Sequence, residues 1–180
     1  MANVFDIANF FIDIAIKTED DFVTNLKLNK LIYYAQGAYL ARTGKPLFNE
    51  DIEAWQYGPV IPCVYQKYKD YSSSPITKTD DDYSASVFSK SELAVLLDVM
   101  REFGIYTGSK LVSLTHKSDT PWSKAYTNKK DIIPLSDITE YFKQNPVKEF
   151  KISSNIPTVS KFPKDWYAPE EDAIWESYLQ

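Results

Sequence analysis

The chain has 180 residues, of which 44% are apolar and 15% aromatic, enough for one hydrophobic core and too few for two ordinary domains. Its 20 basic and 25 acidic side chains give a net charge of -5, which argues against a broad cationic surface for nucleic acid or an anionic membrane. A single cysteine, Cys63, and a single histidine, His116, exclude an internal disulfide and a soft-ligand cluster for a metal. We therefore expect a cytoplasmic protein with no cofactor, no metal, no direct nucleic acid binding and no membrane contact.

The first predicted element is a buried helix over residues 4–17. Apolar side chains recur there at helical spacing, and Asn3 can cap the first turn. Asp6 and Asp13 interrupt the apolar run, and no positively charged region precedes it. We therefore expect a helix of the core and neither a signal peptide nor a membrane span.

The second predicted helix follows from about Thr24 and ends at Gly44, with Pro46 two residues beyond. Gly37 and Ala38 lie inside it and are small. Small residues in the middle of a helix allow close approach of a neighbour, so the first two helices are expected to pack against each other.

A short strand is predicted near residues 51–57, because Ile52, Trp55 and Tyr57 suit an extended segment. Gly58-Pro59 is interpreted as the turn that follows it. Pro62 then suits the first turn of a third helix.

A polar segment at residues 72–86 has the composition of a solvated loop, and its acidic run at 80–82 indicates a solvated face. Ser89 and Glu92 form the pattern of a capping box at the start of a fourth helix, which is predicted to end at Gly104.

Three later features complete the predicted order. Thr120 and Pro121 are typical of the start of a short helix, after another short helix and a bend. Ser136 is the predicted cap of a last core helix that stops at Asn145. A possible strand lies near residues 147–152, and an acidic, aromatic helix is predicted from about Pro169.

Together these patterns predict a mainly α protein: a compact helical domain of about six to seven helices with a small β element. The predicted domain covers residues 1–145, and residues 146–180 form a C-terminal extension that carries the acidic aromatic helix and packs on the domain.

Two stretches are similar to a known family: LNKLIYYAQGAYLARTGKPLFNEDIEAWQYGPVIPCVYQKYK at residues 28–69 and LVSLTHKSDTPWSKAY at residues 111–126. With them, residues 4–145 resemble the Panacea domain, also called the SocA-like antitoxin domain or the phage-associated GepA family. The resemblance implies a mostly helical antitoxin whose partner is a cognate protein toxin encoded beside it. For the SocA branch it further implies a proteolytic adaptor, which hands its toxin to a cytosolic protease.

Candidate partner-binding residues are aromatic or lie in the two family motifs. The chain has 13 tyrosines and four tryptophans, more than a core of this size needs, and such side chains are favoured at protein interfaces. The alternative for each is a structural role in the turn, the bend or the fold-back of the tail. The candidates are Trp55, Tyr57, Gly58, Pro59, Tyr65, His116, Trp122, Trp166, Trp175 and Tyr178.

Two other functions stay open from the sequence. Cys63 lies in the presumed first turn of a helix, and His116 could approach it in space, as a cysteine hydrolase would require. No nucleophile signature surrounds Cys63, however, so binding is favoured over catalysis and we expect no enzyme. The other alternative is a phage-encoded inhibitor of a host defence protein.

Overall fold

The computed structural model describes residues 1–18 and 22–150. Within these ranges it contains seven α-helices, one two-stranded sheet and two short 3-10 helices. A mainly α fold with a small β element is thus confirmed. The elements are α1 (Val4–Lys17), α2 (Asn25–Thr43), β1 (Glu53–Trp55), β2 (Gly58–Val60), α3 (Pro62–Tyr68), the 3-10 turns Lys69–Tyr71 and Ala85–Val87, α4 (Lys90–Phe103), α5 (Gly108–Thr115), α6 (Pro121–Thr127) and α7 (Leu135–Gln144).

The helix starts and ends that have strong local signals lie where the sequence predicts them. Asn3 caps α1 by accepting a hydrogen bond from the Phe5 N–H, and Ser89 and Glu92 form a complete capping box on α4. Gly44 ends α2 in the left-handed conformation, with φ of 69°.

Helix α2 is the centre of the fold. It packs against α1, α3, α4, α5, α7 and β2, so it has neighbours around most of its circumference. Apolar side chains such as Leu28, Leu31 and Ile32 are fully buried along it, and so are the polar Asn29, Lys30 and Gln36. A helix buried all round cannot show a clean apolar stripe, because polar residues that find partners inside the protein share its buried faces.

The small size of Gly37 allows a different helix contact from the predicted one. Helices α1 and α2 do pack together, as expected, but a Cβ atom at Gly37 would lie 2.2 Å from the ring of Phe142 on α7. The missing side chain therefore makes room for α7, where Phe142 is 1% exposed.

The predicted strand at 51–57 is the first half of a hairpin. Strands β1 and β2 pair antiparallel, with Glu53 opposite Val60 and Trp55 opposite Gly58. The turn is at residues 56–57. The interpretation of Gly58-Pro59 as the turn is therefore wrong, because both residues belong to β2.

The outer side of β1 is also paired. The N–H of Ala54 donates to the carbonyl of Asp131 at 2.7 Å, and the N–H of Ile133 donates to the carbonyl of Ile52 at 2.8 Å. The segment between α6 and α7 therefore holds the hairpin from the side opposite to β2.

Two predictions near the end of the described chain are wrong. Helix α7 begins at Leu135 after Pro134, so Ser136 lies inside the helix and does not cap it. Residues 147–150 form no strand, and residues 151–152 lie outside the described residues. The predicted start of α6, with Thr120 as cap and Pro121 in the first turn, is confirmed.

Residues 147–150 are held against α2 and α4. Arg42 makes an ion pair with Asp98 at 2.6 Å and donates to the carbonyl of Val147 at 3.2 Å. The N–H of Phe150 donates to Asp98 at 3.1 Å, and the Arg101 guanidinium lies 4.5 Å from the Phe150 ring centre. The last described residues thus lie beside the middle of α4.

The polar segment at 72–86 is attached to the core at two points. Ile76 is buried and donates its N–H to the carbonyl of Val23. Asp80 accepts hydrogen bonds from Asn9 on α1 and Lys67 on α3, and the bond from Lys67 is the main reason for its lowered pKa. Asp80 is therefore a structural anchor, whereas Asp81 and Asp82 are exposed.

Candidate functional site

An open groove of about 770 Å³ lies between the first turns of α2, the hairpin, α3 with the turn after it, and the start of α5. We call it the hairpin groove. Its lining residues are Thr24, Asn25, Leu26, Asn29, Lys30, Trp55, Gln56, Tyr57, Val60, Tyr65, Lys69, Ser72, Ser73, Gly108 and Ser109.

Aromatic side chains form one wall of the hairpin groove. Trp55 at the end of β1 and Tyr65 on α3 meet edge to face, with ring centres 4.9 Å apart. Tyr57, in the hairpin turn, is 62% exposed and Tyr65 is 37% exposed. These rings combine apolar area with polar tips on a fixed framework, which is the composition of many protein-binding surfaces.

Helix α6 fixes the position of this wall. The indole N–H of Trp122 donates to the carbonyl of Trp55 at 2.8 Å. Trp122 is itself stacked on His116, with ring centres 3.7 Å apart and planes at 5°, and on Tyr126 at 4.8 Å. The indole N–H of Trp55 donates to Glu53 at 2.6 Å, so both tryptophans have their polar atom satisfied.

The floor of the groove contains a buried lysine. Lys30 has no measurable exposure, and its Nζ donates to the carbonyl of Pro59 at 2.9 Å. Burial lowers the pKa of Lys30 to about 7, because the low-dielectric surroundings disfavour the ammonium form.

Glycine at position 58 is required by that lysine. Gly58 has φ of 101°, and a Cβ there would lie 2.7 Å from Lys30 Cε and 2.8 Å from Thr115 Oγ1. Strand β2 therefore lies directly over the lysine side chain.

Two asparagines on α2 hold the hairpin and α3 in place. Asn29 accepts from the N–H of Ile61 at 2.9 Å and donates to the carbonyl and side-chain oxygens of Asn25, both at 2.9 Å. Asn25 in turn donates to the carbonyl of Tyr65 at 3.0 Å. The backbone on both sides of Pro62 is thus tied to α2 by buried hydrogen bonds.

The lining of the groove has an unbalanced charge. Among the residues that the structure describes, it includes two lysines, Lys30 and Lys69, and no aspartate or glutamate. The first turns of α2 and α5 also line it, and the N-terminal end of a helix carries partial positive charge. In a chain of net charge -5 this groove is locally suited to an acidic ligand.

The sequence candidates divide into three groups. Trp55, Tyr57 and Tyr65 line the groove. Gly58, Pro59 and Trp122 are buried and support it, while half-buried His116 stacks on Trp122. Trp166, Trp175 and Tyr178 lie outside the described residues.

The described residues do not bring Cys63 and His116 together as a nucleophile and its base. Cys63 is half-buried, and burial is the main cause of its raised pKa, the opposite of what an activated thiol needs. The Nε2 atom of His116 is buried without a hydrogen-bond partner, and its pKa is lowered by burial and by Lys30. Residues 1–18 and 22–150 also contain no group of three or more metal-binding side chains.

Sequence reasoning missed Asn25, Asn29 and Lys30. The run LNKLIYY places two of them between apolar residues, and their burial follows only from the packing of other elements around α2. The clue in the sequence is an asparagine next to a lysine between leucines of a helix.

The chain thus forms a small helical domain built around one central helix, with an open groove beside its hairpin. By sequence, the chain belongs to the family described as "Antitoxin SocA-like, Panacea domain", whose sequence model matches residues 28–123. It is 31% identical over 127 residues to Antitoxin SocA of Caulobacter vibrioides (strain NA1000 / CB15N). That alignment covers 64% of this chain and 66% of the relative, just under two thirds of its length.

Two further observations concern the same chain. No solved structure matches it. Among the helices of the described residues, none has both the length and the apolar character needed to cross a membrane.

Proposed function

We propose that this protein is an antitoxin that neutralises a cognate protein toxin by direct, stoichiometric binding in the cytoplasm. The observation that carries the proposal is membership of the SocA-like family, whose match at residues 28–123 includes most of the hairpin groove. The toxin is encoded beside the antitoxin, and neutralisation needs no covalent chemistry.

The hairpin groove is the proposed docking surface for the toxin. Trp55, Tyr57 and Tyr65 offer aromatic side chains to a partner, and the hydrogen bond from Trp122 and the asparagines of α2 hold that wall rigid. A rigid aromatic surface loses little conformational entropy on binding, so more of the contact energy contributes to affinity.

Co-expression with the product of the neighbouring gene tests the function. We expect growth to be rescued and the two proteins to co-purify at fixed stoichiometry. Absence of any interaction would contradict the antitoxin function. Faster toxin turnover that depends on a cytosolic protease would replace simple occlusion by the adaptor mechanism.

A pair of variants tests the surface separately from the function. Tyr57→Ala together with Tyr65→Ala should weaken toxin binding at least about 30-fold, because two interface aromatics of this kind contribute about 1 to 2 kcal/mol each or more. The matched control is Val87→Ala, a similarly exposed side chain on the 3-10 turn Ala85–Val87. Equal toxin affinity of the two variants would exclude the groove and leave the function intact.

A further inference from the structure

The hairpin groove has chemistry that one other segment of the same chain complements. The part of its lining that lies within residues 22–150 contains two lysines, aromatic rings and no carboxylate. Residues 165–180, DWYAPEEDAIWESYLQ, contain five carboxylates and no basic residue. The same sixteen residues include Trp166, Tyr167, Trp175, Tyr178 and Leu179.

We propose that residues 165–180 bind in the hairpin groove as a tethered acidic, aromatic ligand. The carboxylates lie toward Lys69 and the first turns of α2 and α5. The aromatic side chains pack on the wall formed by Trp55 and Tyr65.

Lys69 is the accessible cation of the groove. It is exposed on the 3-10 turn Lys69–Tyr71 and makes no ion pair with any described residue. Lys30 is fully buried beneath β2 and donates to the carbonyl of Pro59, so a carboxylate in the groove cannot touch it. A carboxylate at this end of the groove would therefore pair with Lys69 and lie near the N-terminal ends of α2 and α5.

The chain between the domain and this segment is long enough. Phe150 is fixed beside Asp98 in the middle of α4, and the end of α4 lies beside the first turn of α2, because Lys27 donates to the carbonyl of Gly104. From Asp98 to Gly104 a helix rises about 9 Å. Residues 151–164 can span up to about 46 Å when extended, so they bridge this separation with ample slack.

Because residues 165–180 belong to the same chain as the groove, a modest intrinsic affinity is enough for them to occupy it. A linker of this length gives an effective concentration of about a millimolar, so a segment with only micromolar intrinsic affinity would occupy the groove most of the time. A toxin that docks on the same wall must displace it. Displacement by a toxin rests on the proposed function, whereas binding of residues 165–180 in the groove does not.

Disulfide trapping in the full chain tests the occupancy. The background is Cys63→Ser, which removes the single native thiol. Ser109→Cys is placed on the groove lining and Ser177→Cys in the acidic segment, and both are near-isosteric changes. The matched control replaces Ser109→Cys with Ser86→Cys, an exposed serine on the 3-10 turn Ala85–Val87.

Mild oxidation of dilute protein, followed by non-reducing gel electrophoresis and peptide mass spectrometry, measures intrachain crosslinking. We expect the groove pair to crosslink at least about tenfold faster than the control pair, because the bound segment raises the local thiol concentration. Equal rates for the two pairs would overturn the proposal.

A charge variant tests the reason for binding. Glu170→Gln, Glu171→Gln and Asp172→Asn together should slow crosslinking of the groove pair several-fold, whereas Asp81→Asn with Asp82→Asn on the exposed loop should leave it unchanged. An unchanged rate in the tail variant would overturn the electrostatic basis of the proposal. Neither experiment involves the toxin, so failure here leaves the antitoxin function standing.

Discussion

Apolar packing stabilises both halves of α2, and the N-terminal half adds hydrogen bonds to the candidate site. In the C-terminal half, Gly37 receives the Phe142 ring, and Tyr34 stacks on Phe103 with ring centres 4.0 Å apart. In the N-terminal half, Asn29 and Lys30 hold the hairpin by hydrogen bonds to its backbone. The same helix therefore packs in the apolar core and holds the candidate site in place by hydrogen bonds.

The two kinds of contact have different effects on the domain. Apolar packing is non-directional and supplies most of the folding free energy, whereas buried hydrogen bonds fix geometry, because an unpaired buried group is costly. The buried polar groups in the N-terminal half of α2 thus determine where the groove wall stands, and apolar packing along the whole helix stabilises the domain.

The largest expected effect on stability comes from a substitution in the C-terminal half of α2. Gly37→Ala should lower the free energy of unfolding by about 3 kcal/mol, because the new methyl group would overlap the Phe142 ring and force α7 outward. Chemical denaturation followed by circular dichroism measures the change.

A second background provides the control for Gly37. In Phe142→Ala the ring is absent, so Gly37→Ala should be neutral or stabilising by up to about 1 kcal/mol, through the higher helix propensity of alanine. A loss of about 3 kcal/mol in both backgrounds would show that the ring is not the cause.

In the polar half, Asn29→Ala should cost about 2 kcal/mol, because it leaves the buried N–H of Ile61 without an acceptor. The matched control is Asn128→Ala, an exposed asparagine that also donates to a backbone carbonyl and should change stability by less than about 0.5 kcal/mol. Equal effects of the two substitutions, measured by urea denaturation, would contradict a special role for the α2 asparagines.

Lys30 gives the polar half a pH dependence. Its pKa of about 7 in the folded protein lies below the 10.5 of an exposed lysine, so unfolding takes up a proton between these values. Stability should therefore rise with pH, by about 1 kcal/mol per unit between pH 7.5 and 8.5. Below pH 7 the contribution of this lysine levels off.

Lys30→Met separates this slope from other titrations. The pKa of His116 is lowered by burial and by Lys30, so it lies below this pH range in both proteins, and Lys30 is not among the causes of the raised pKa of Cys63. The difference in slope between the two proteins reports Lys30 alone. Parallel stability curves over this pH range would refute the assignment.

The smallest effect on stability is expected at the rim. Tyr57 is 62% exposed, so Tyr57→Ala should change the free energy of unfolding by less than about 0.5 kcal/mol. Thermal denaturation measures this. A cost above about 1 kcal/mol would mean that the ring supports the hairpin and is not available to a partner.

The sequence predicted those parts of the fold that have local causes. Asn3, Gly44 and the Ser89–Glu92 pair act through backbone groups within a few residues, so their patterns identified helix ends correctly. The predicted cap at Ser136 failed because α7 is capped two residues earlier, at Pro134.

Predictions from the sequence were wrong where contacts between residues far apart in the chain determine the structure. Gly58 looked like a turn glycine, but its conformation lets β2 cross Lys30, 28 positions earlier in the chain. The aromatic wall could be proposed because Trp55, Tyr57 and Tyr65 lie close in sequence. The floor could not, because no periodicity reveals that a lysine on a helix faces another element of the protein.

The backbone pairing of the hairpin restricts how any partner can recognise it. β1 has β2 on one side and the 131–133 segment on the other, while the far side of β2 is occupied by α2 through Lys30. A partner therefore finds no open strand edge here and cannot extend this sheet. Recognition at this face must use side chains, which can diversify without disturbing the fold that carries them.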